Sequence, residues 1–245
     1  MLVDVLKVGG EMGQFNADEA ASLLGWWLDA GVDVAIAEQP RDWTKAPAPA
    51  ARATPATPPP APPPPPPPEE LAPLLAWLRD SPDVPLAASN ARRILPHGPE
   101  AAPVMLISEM PDGDDAADGQ PIGGDAWQLA TRMLAAIDIR PDAAYSASLS
   151  CFHAPGTRLS ADEIAACAEL ARRHVAAARP QRLLLFGDGP SRALLGKPMA
   201  QARGHVHKIE GVRTVVTFHP RQLLARPSFK AQAWRDLLLL MENDA

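Results

Sequence analysis

The amino-acid sequence predicts an α/β fold, a three-layer α/β/α sandwich with a central, mainly parallel, four-stranded sheet. Short apolar stretches of strand length recur along the C-terminal part of the chain, and longer helix-forming stretches separate them. This alternation is typical of a parallel sheet that is covered by helices on both faces. The chain has 245 residues, 47% of them apolar, which is enough to fill the core of such a domain.

Each predicted element rests on its own stretch of sequence. The strands are expected at 104–108 (VMLIS), 143–150 (AAYSASLS), 182–187 (RLLLFG) and 213–219 (RTVVTFH). The helices are expected near 124–137, 160–178, 189–196 and 228–242. Because ligands of parallel α/β sheets bind beyond the carboxyl ends of the strands, functional residues are expected just after each strand.

Three regions are predicted along the chain: an N-terminal helical segment (1–45), a proline-rich linker (46–70) and the α/β domain (71–245). In the first region, Asn16 is a candidate cap for an amphipathic helix, whose two tryptophans are interpreted as packing residues. The proline run favours extended polyproline II and is interpreted as a spacer. Docking of this run onto an aromatic groove of a protein partner is the alternative.

Composition and charge narrow the class of protein. The net charge of −6 argues against a general polyanion binder, but eleven lysines and arginines lie between Arg179 and Arg235 against only two acids. Two cysteines cannot form a disulfide framework, and no apolar run is long enough to span a membrane. The N-terminus lacks the pattern of a signal peptide, so a cytoplasmic protein is expected. A monomer is expected as well.

Polar motifs follow the predicted strands. A loop rich in glycine, proline and acidic residues begins at Ser108 and leads into a helix, an arrangement that offers amides to an anion and carboxylates to water. The last strand ends in the sequence FHPRQLLARPS. There His219 is suited to donate a hydrogen bond to a leaving group, and Arg221 to bind a phosphate. Taken singly, each of these signals is weak.

Taken together, the motifs resemble those of the uracil-DNA glycosylase superfamily, and most closely the family-four iron–sulfur enzymes of bacteria and archaea. That family carries the patterns GEAPGxxED and GxPFVGxAGxLL, then NVxxCRPPGNR, and finally HPS or HPA before a helix. The counterparts in this chain are SEMPDGDDAADGQPIGGDAWQL, SLSCFHAPGTR and HPRQLLARPSFKAQAWRDL. The resemblance covers nearly the whole chain apart from the proline run, and it implies the uracil-DNA glycosylase type of sandwich.

The resemblance implies catalytic roles for Glu109, Asp115 and His219. Such enzymes flip a deoxyuridine out of the duplex and break its N-glycosidic bond. Glu109 matches the family's glutamate, and Asp115 stands where the family has a second acid. His219 matches the histidine that supports the departing base. The motifs also depart from the family pattern, since Asp112 replaces a glycine and Arg221 replaces a small residue.

The implied substrate-binding residues are Pro111, Ile122, Ser148 and Phe152. Ile122 falls at the position of the family's stacking phenylalanine, and Ser148 falls at the position of the asparagine that reads the uracil edge. A serine hydroxyl cannot form the paired donor and acceptor contact of an amide. Phe152, together with its neighbour His153, is therefore a candidate to supply the missing stacking or recognition.

No cofactor and no metal ligand are predicted. The family-four cluster requires four cysteines, but this chain contains only Cys151 and Cys167, and the CxxC pair before the first motif is missing. Only Cys167 matches a ligand position, because Cys151 lies one residue before the expected site. Both cysteines are interpreted as small buried residues that pack where the family holds its iron–sulfur cluster.

DNA is the predicted partner, and its expected contacts are Arg221, Leu224, Arg226 and Lys230. In this interpretation Leu224 presses into the base stack while the three cations bind phosphates. The favoured function is a uracil-type DNA glycosylase of base-excision repair that acts on a flipped uracil or damaged base. The alternatives are an inactive DNA-binding or partner-binding descendant on the same fold, and a scaffold whose working part is the proline run.

Overall fold

The computed structural model describes residues 17–31, 66–87, 91–153 and 160–242. The chain divides into two units, Met1–Ala61 and Pro62–Ala245, with the division inside the proline run. In the first unit the described element is helix α1 (Ala17–Asp29), on which both tryptophans are exposed. The candidate cap Asn16 lies outside the described residues, as does most of the proline run. None of the helices described is long and apolar enough to cross a membrane.

The second unit contains a five-stranded sheet flanked by helices. Its strand order is β3-β2-β5-β7-β6, with the first four strands parallel and β6 antiparallel to β7. A separate two-stranded antiparallel ribbon joins β1 to β4. The strands are β1 (Arg92–Arg93), β2 (Met105–Ser108), β3 (Tyr145–Ser148), β4 (Phe152–His153), β5 (Arg182–Phe186), β6 (His207–Ile209) and β7 (Val212–Thr217).

The helices of this unit alternate with the strands along the chain. Two short 3₁₀ turns, Pro141–Ala143 and Pro227–Phe229, precede β3 and the last helix. The α-helices are α2 (Leu71–Asp80), α3 (Gly113–Asp118), α4 (Gly124–Ala135), α5 (Ala161–Ala178), α6 (Asp188–Leu195), α7 (Met199–Ala202), α8 (Pro220–Ala225) and α9 (Lys230–Met241).

Side chains that alternate along β2 divide the core into two layers. Met105 and Ile107 belong to a buried cluster that includes Cys167 and Val175 of α5. Leu106 belongs to a second cluster, which includes residues of α4 and α9. Since helices cover both faces of a mostly parallel sheet, the predicted α/β/α sandwich is confirmed.

The sheet has one strand more than the four predicted. The additional strand, β6, is only three residues long and lacks a continuous apolar run. It joins β7 through Glu210 and Gly211, whose φ angles are 48° and 78°. Positive φ at both central residues is the signature of a type I′ hairpin turn, which explains the antiparallel edge.

Candidate active site

A cleft of about 310 Å³ opens at the carboxyl ends of β2, β5 and β7, where a parallel sheet is expected to bind its ligand. The described residues that line it come from the segments just after these three strands. They are Glu109, Met110, Phe186, Gly187, Asp188, His219, Arg221 and Gln222. The structure therefore brings together the predicted catalytic residues Glu109 and His219 in one cleft.

His219 links β7 to α8 and caps that helix. Its Nδ1 accepts a hydrogen bond from the backbone N–H of Arg221 at 3.2 Å. Burial, together with the nearby Arg221 charge, lowers the pKa of His219 to about 3, although Asp112 opposes this shift. The ring is therefore neutral at pH 7. Because Nδ1 accepts, the proton lies on Nε2, which is buried and has no hydrogen-bond partner among the described residues.

Glu109 follows β2 directly, and its exposed side chain extends over the start of α6. Its backbone carbonyl accepts a hydrogen bond from Ser150 N at 3.2 Å, which continues the pairing of β2 and β3. A Cβ atom built on Gly189 would lie 2.5 Å from Glu109 Cγ and 2.6 Å from Oε1. The missing side chain of Gly189 therefore provides the space that the Glu109 carboxylate occupies.

Asp115 is fully buried and lies inside a hydrogen-bond network. Its carboxylate accepts hydrogen bonds from the backbone N–H groups of Asp112 and Gly123, and it forms an ion pair with Arg221. Asp112 accepts in return from Asp115 N, which completes a capping box at the start of α3. Asp115 is not among the described residues that line the cleft, so the structure places this candidate catalytic acid in a supporting position.

Arg221 and Asp112, two departures from the family pattern, contact each other. Arg221 Nε lies 2.7 Å from Asp112 Oδ2, and the same guanidinium also pairs with Asp115. The acid that replaces a glycine in the first motif is thus neutralised by the arginine that replaces a small residue in the last motif. Arg221 was predicted to bind DNA phosphate, but in this structure its charge is directed to these two carboxylates.

Ile122 and Ser148, the positions that the resemblance matches to base-binding residues, lie away from the cleft. Ile122 has 0% exposure and packs in the core cluster with Val104 and Leu106. Ser148 donates its hydroxyl to Ser150 O at 2.7 Å and lines a different, small cavity on the α5 side of the sheet. Neither residue lines the cleft that contains His219.

Pro111 and Phe152 also occupy buried positions. Pro111 O accepts a hydrogen bond from His153 Nδ1 at 2.8 Å, which ties the first motif to the middle segment. Phe152 has 0% exposure, and the Arg93 guanidinium lies over its ring at 5.0 Å. With both faces of the ring in the interior, Phe152 has no surface free for a flipped base.

The predicted DNA-binding segment is mostly exposed. Leu224 is 43% exposed on α8, whereas its neighbour Leu223 is 1% exposed and packs in the core. Arg226 and Lys230 are exposed, and neither pairs with a carboxylate in the part of the chain that the structure describes. Of the two leucines, Leu224 is thus the one available to contact a base stack.

Several lining residues were missed in the sequence. Phe186 has 2% exposure and meets the His219 ring edge-to-face at a centroid distance of 5.8 Å. Gly187 and Asp188 follow Phe186 at the end of β5, and Gln222 follows His219 on α8. The rule that ligands bind after parallel strands would have identified Gly187 and Asp188, which follow β5, but not Phe186, which is the last residue of that strand. No sequence signal marks Gln222 as a residue of the cleft, because it lies in the stretch whose neighbours, Arg221 and Leu224, are predicted to contact DNA.

The cysteines do not fit an iron–sulfur cluster. Cys151 and Cys167 are both buried and line one small cavity, but a cluster is held by four thiolates, so the sequence is two cysteine ligands short. Within the described ranges, no group of three or more His, Cys, Asp or Glu side chains is placed to hold a metal ion. The absence of a cluster stays a prediction, and its basis is the shortage of ligands.

Comparison with known proteins agrees with the motifs and the fold. Residues 95–238, more than half of the chain, match the family model described as the uracil DNA glycosylase superfamily. A type-4 uracil-DNA glycosylase of Archaeoglobus fulgidus is 25% identical over 146 residues, which are 55% of this chain and 73% of that protein. A type-4 uracil-DNA glycosylase of Pyrobaculum aerophilum is 23% identical over 147 residues, which are 56% of this chain and 75% of that protein. The chain therefore belongs to the uracil-DNA glycosylase superfamily.

Proposed function

We propose that this protein is a DNA glycosylase that hydrolyses the N-glycosidic bond of a flipped uracil or damaged base in base-excision repair. The observation that carries the proposal is the shared cleft of Glu109 and His219, at the strand ends where the fold binds ligands. The relatives named as type-4 uracil-DNA glycosylases support uracil as the first base to test.

In the proposed reaction, the bond between C1′ of the sugar and the ring nitrogen of the base breaks, and both bonding electrons leave with the base. The neutral His219 donates its Nε2–H to the oxygen on which the negative charge of the base develops. Glu109 positions the attacking water, whose oxygen bonds to C1′, and its carboxylate accepts the proton that the water releases. Since His219 donates while uncharged, its low pKa suits this role at neutral pH.

The proposed DNA contacts follow the cleft residues Arg221 and Gln222 along the chain. Arg226 and Lys230 are exposed cations that suit phosphate oxygens, and the exposed Leu224 suits insertion into the base stack. Arg221 joins them only if a phosphate competes with its two carboxylate partners. DNA binding through these residues should weaken as salt is added, because bound phosphates release counterions.

The test is excision of uracil from labelled single- and double-stranded oligonucleotides under single-turnover conditions. The wild-type protein is expected to release the base, and His219→Ala is expected to abolish release while thermal melting shows that the variant stays folded. Wild-type protein that binds DNA in a salt-sensitive manner but releases no base would overturn the enzymatic proposal. The chain would then be a DNA-binding protein on a glycosylase fold.

A further inference from the structure

The cleft contains a carboxamide that no motif pointed to. Gln222 lies on α8 three residues after His219, and both residues line the cleft. His219 is the N-cap of α8 and Gln222 lies in its first turn, so one short segment brings both residues to the cleft. Among the described residues that line the cleft, Gln222 alone carries a carboxamide.

The backbone fixes Gln222 in this position. Its N–H donates to His219 O at 2.9 Å, and its carbonyl accepts from Arg226 N at 2.8 Å. Its side chain is partly buried at the cleft wall. The main chain of Gln222 is therefore held in a hydrogen-bonded helical turn at the cleft, which suits recognition better than a free loop does.

We propose that Gln222 is the residue that recognises the base edge and determines specificity, an inference that rests on the proposed function. An enzyme that flips a base recognises it by hydrogen bonds to its Watson–Crick edge. Uracil presents a carbonyl oxygen beside a ring N–H on that edge. The Gln222 amide donates from its NH₂ group to the carbonyl and accepts from the ring N–H with its oxygen.

Two facts about other residues favour this assignment. Ser148 is not among the cleft-lining residues, and its hydroxyl is already bonded to Ser150 O. Phe186 supplies an aromatic ring at the cleft wall, next to the His219 ring. Gln222 thus supplies, in the same cleft as His219, the donor and acceptor pair that Ser148 cannot provide.

The test compares three variants with the wild-type protein. Gln222→Leu keeps the approximate size and removes both hydrogen bonds. Gln222→Glu keeps the shape but replaces the donor by an oxygen that repels the uracil carbonyl. Gln201→Leu removes an exposed carboxamide on α7, outside the cleft, and serves as the matched control. Thermal melting establishes that each variant is folded.

Single-turnover uracil excision is expected to fall about 10- to 100-fold in Gln222→Leu, and at least as far in Gln222→Glu, because each leaves polar groups unpaired in the bound state. Gln201→Leu should react at the wild-type rate. Binding is measured separately with oligonucleotides that carry 2′-fluoro-deoxyuridine or 2′-fluoro-deoxycytidine, which resist excision. The wild-type protein should prefer the uracil form, and both Gln222 variants should lose that preference.

The outcomes separate this inference from the proposed function. Wild-type excision that Gln222→Leu leaves unchanged overturns the role of Gln222 and keeps the glycosylase. If the wild-type protein excises nothing but prefers the 2′-fluoro-deoxyuridine strand, and both Gln222 variants lose that preference, base recognition by Gln222 is supported and catalysis is overturned. A wild-type protein with neither excision nor preference overturns both.

Discussion

Replacing Gly189 with alanine should reduce activity without reducing stability. A Cβ at this position would lie 2.3 Å from Glu109 Cδ, the carbon of the carboxylate, whereas ordinary contact begins at 3.4 Å. The carboxyl group must therefore move by about 1.1 Å, from 2.3 to 3.4 Å. Misplacement of a catalytic group by roughly 1 Å can cost about 100-fold in rate, so we expect a loss of about 10- to 100-fold in single-turnover excision.

The same substitution should leave the fold intact. Gly189 lies in the first turn of α6, and the atoms that its Cβ would meet belong to the exposed side chain of Glu109, which is free to move. Alanine is favoured over glycine in helices by up to about 1 kcal/mol, so the free energy of unfolding should stay equal or rise slightly. Urea denaturation measures this change.

Two further variants make the experiment decisive. Gly113→Ala is the matched control, because nothing lies within 4 Å of the added methyl group, and it should excise uracil at the wild-type rate. Adding Glu109→Asp to Gly189→Ala shortens the acid by one methylene and should restore part of the lost rate. If Gly189→Ala has wild-type activity while Glu109→Gln is inactive, the carboxylate does not work from the position seen in this structure.

Three other predictions concern stability and reactivity. Arg221→Met should lower the free energy of unfolding by about 2 kcal/mol, because the buried Asp115 loses its ion-pair partner. Replacing the exposed Arg226 by methionine should change the free energy of unfolding by less than about 0.5 kcal/mol. Equal effects of the two substitutions in urea denaturation would contradict a stabilising role of the Arg221 ion pair. Burial lowers the pKa of His174 to about 4, so the unfolded chain takes up a proton below pH 6.5 that the folded chain does not. The stability lost between pH 7 and pH 5 should thus be about 2 kcal/mol smaller in His174→Gln than in the wild-type protein, and equal losses would refute this role. Burial raises the pKa of both cysteine thiols to about 11, so a thiol reagent at pH 8 should label them only in denaturant. Rapid labelling of the folded protein would contradict this prediction, because it would show that the thiols are accessible.

The elements with strong apolar periodicity were the ones that the sequence predicted well. The strands β2, β5 and β7 lie inside stretches of aliphatic residues, and hydrophobic burial on both faces leaves little choice of structure there. The edge strand β6 was missed, since its stability comes from pairing with β7 and from the turn at Glu210 and Gly211. Edge strands depend on such tertiary pairing more than on local composition.

The site was predictable where a residue's role follows from its place in the chain. His219 and Glu109 each follow a parallel strand, and the structure places both in the cleft. The sequence could not indicate that Asp115 would be enclosed by Arg221, because these residues are 106 positions apart. Nor could it indicate that Ile122 would pack into the core, since an aliphatic residue in a loop fits either a pocket or a core.

The contact between Arg221 and Asp112 has an evolutionary consequence. Each residue on its own would be unfavourable in the family pattern, because a lone Asp112 adds a negative charge beside Asp115, and a lone Arg221 adds a bulky cation at a position for a small residue. Their effects on fitness are therefore expected to be epistatic: reverting one residue is harmful, while reverting both is tolerated. A chain that carries this pair is therefore expected to reach the glycine and small-residue motif of the family less readily by single substitutions than by a double one.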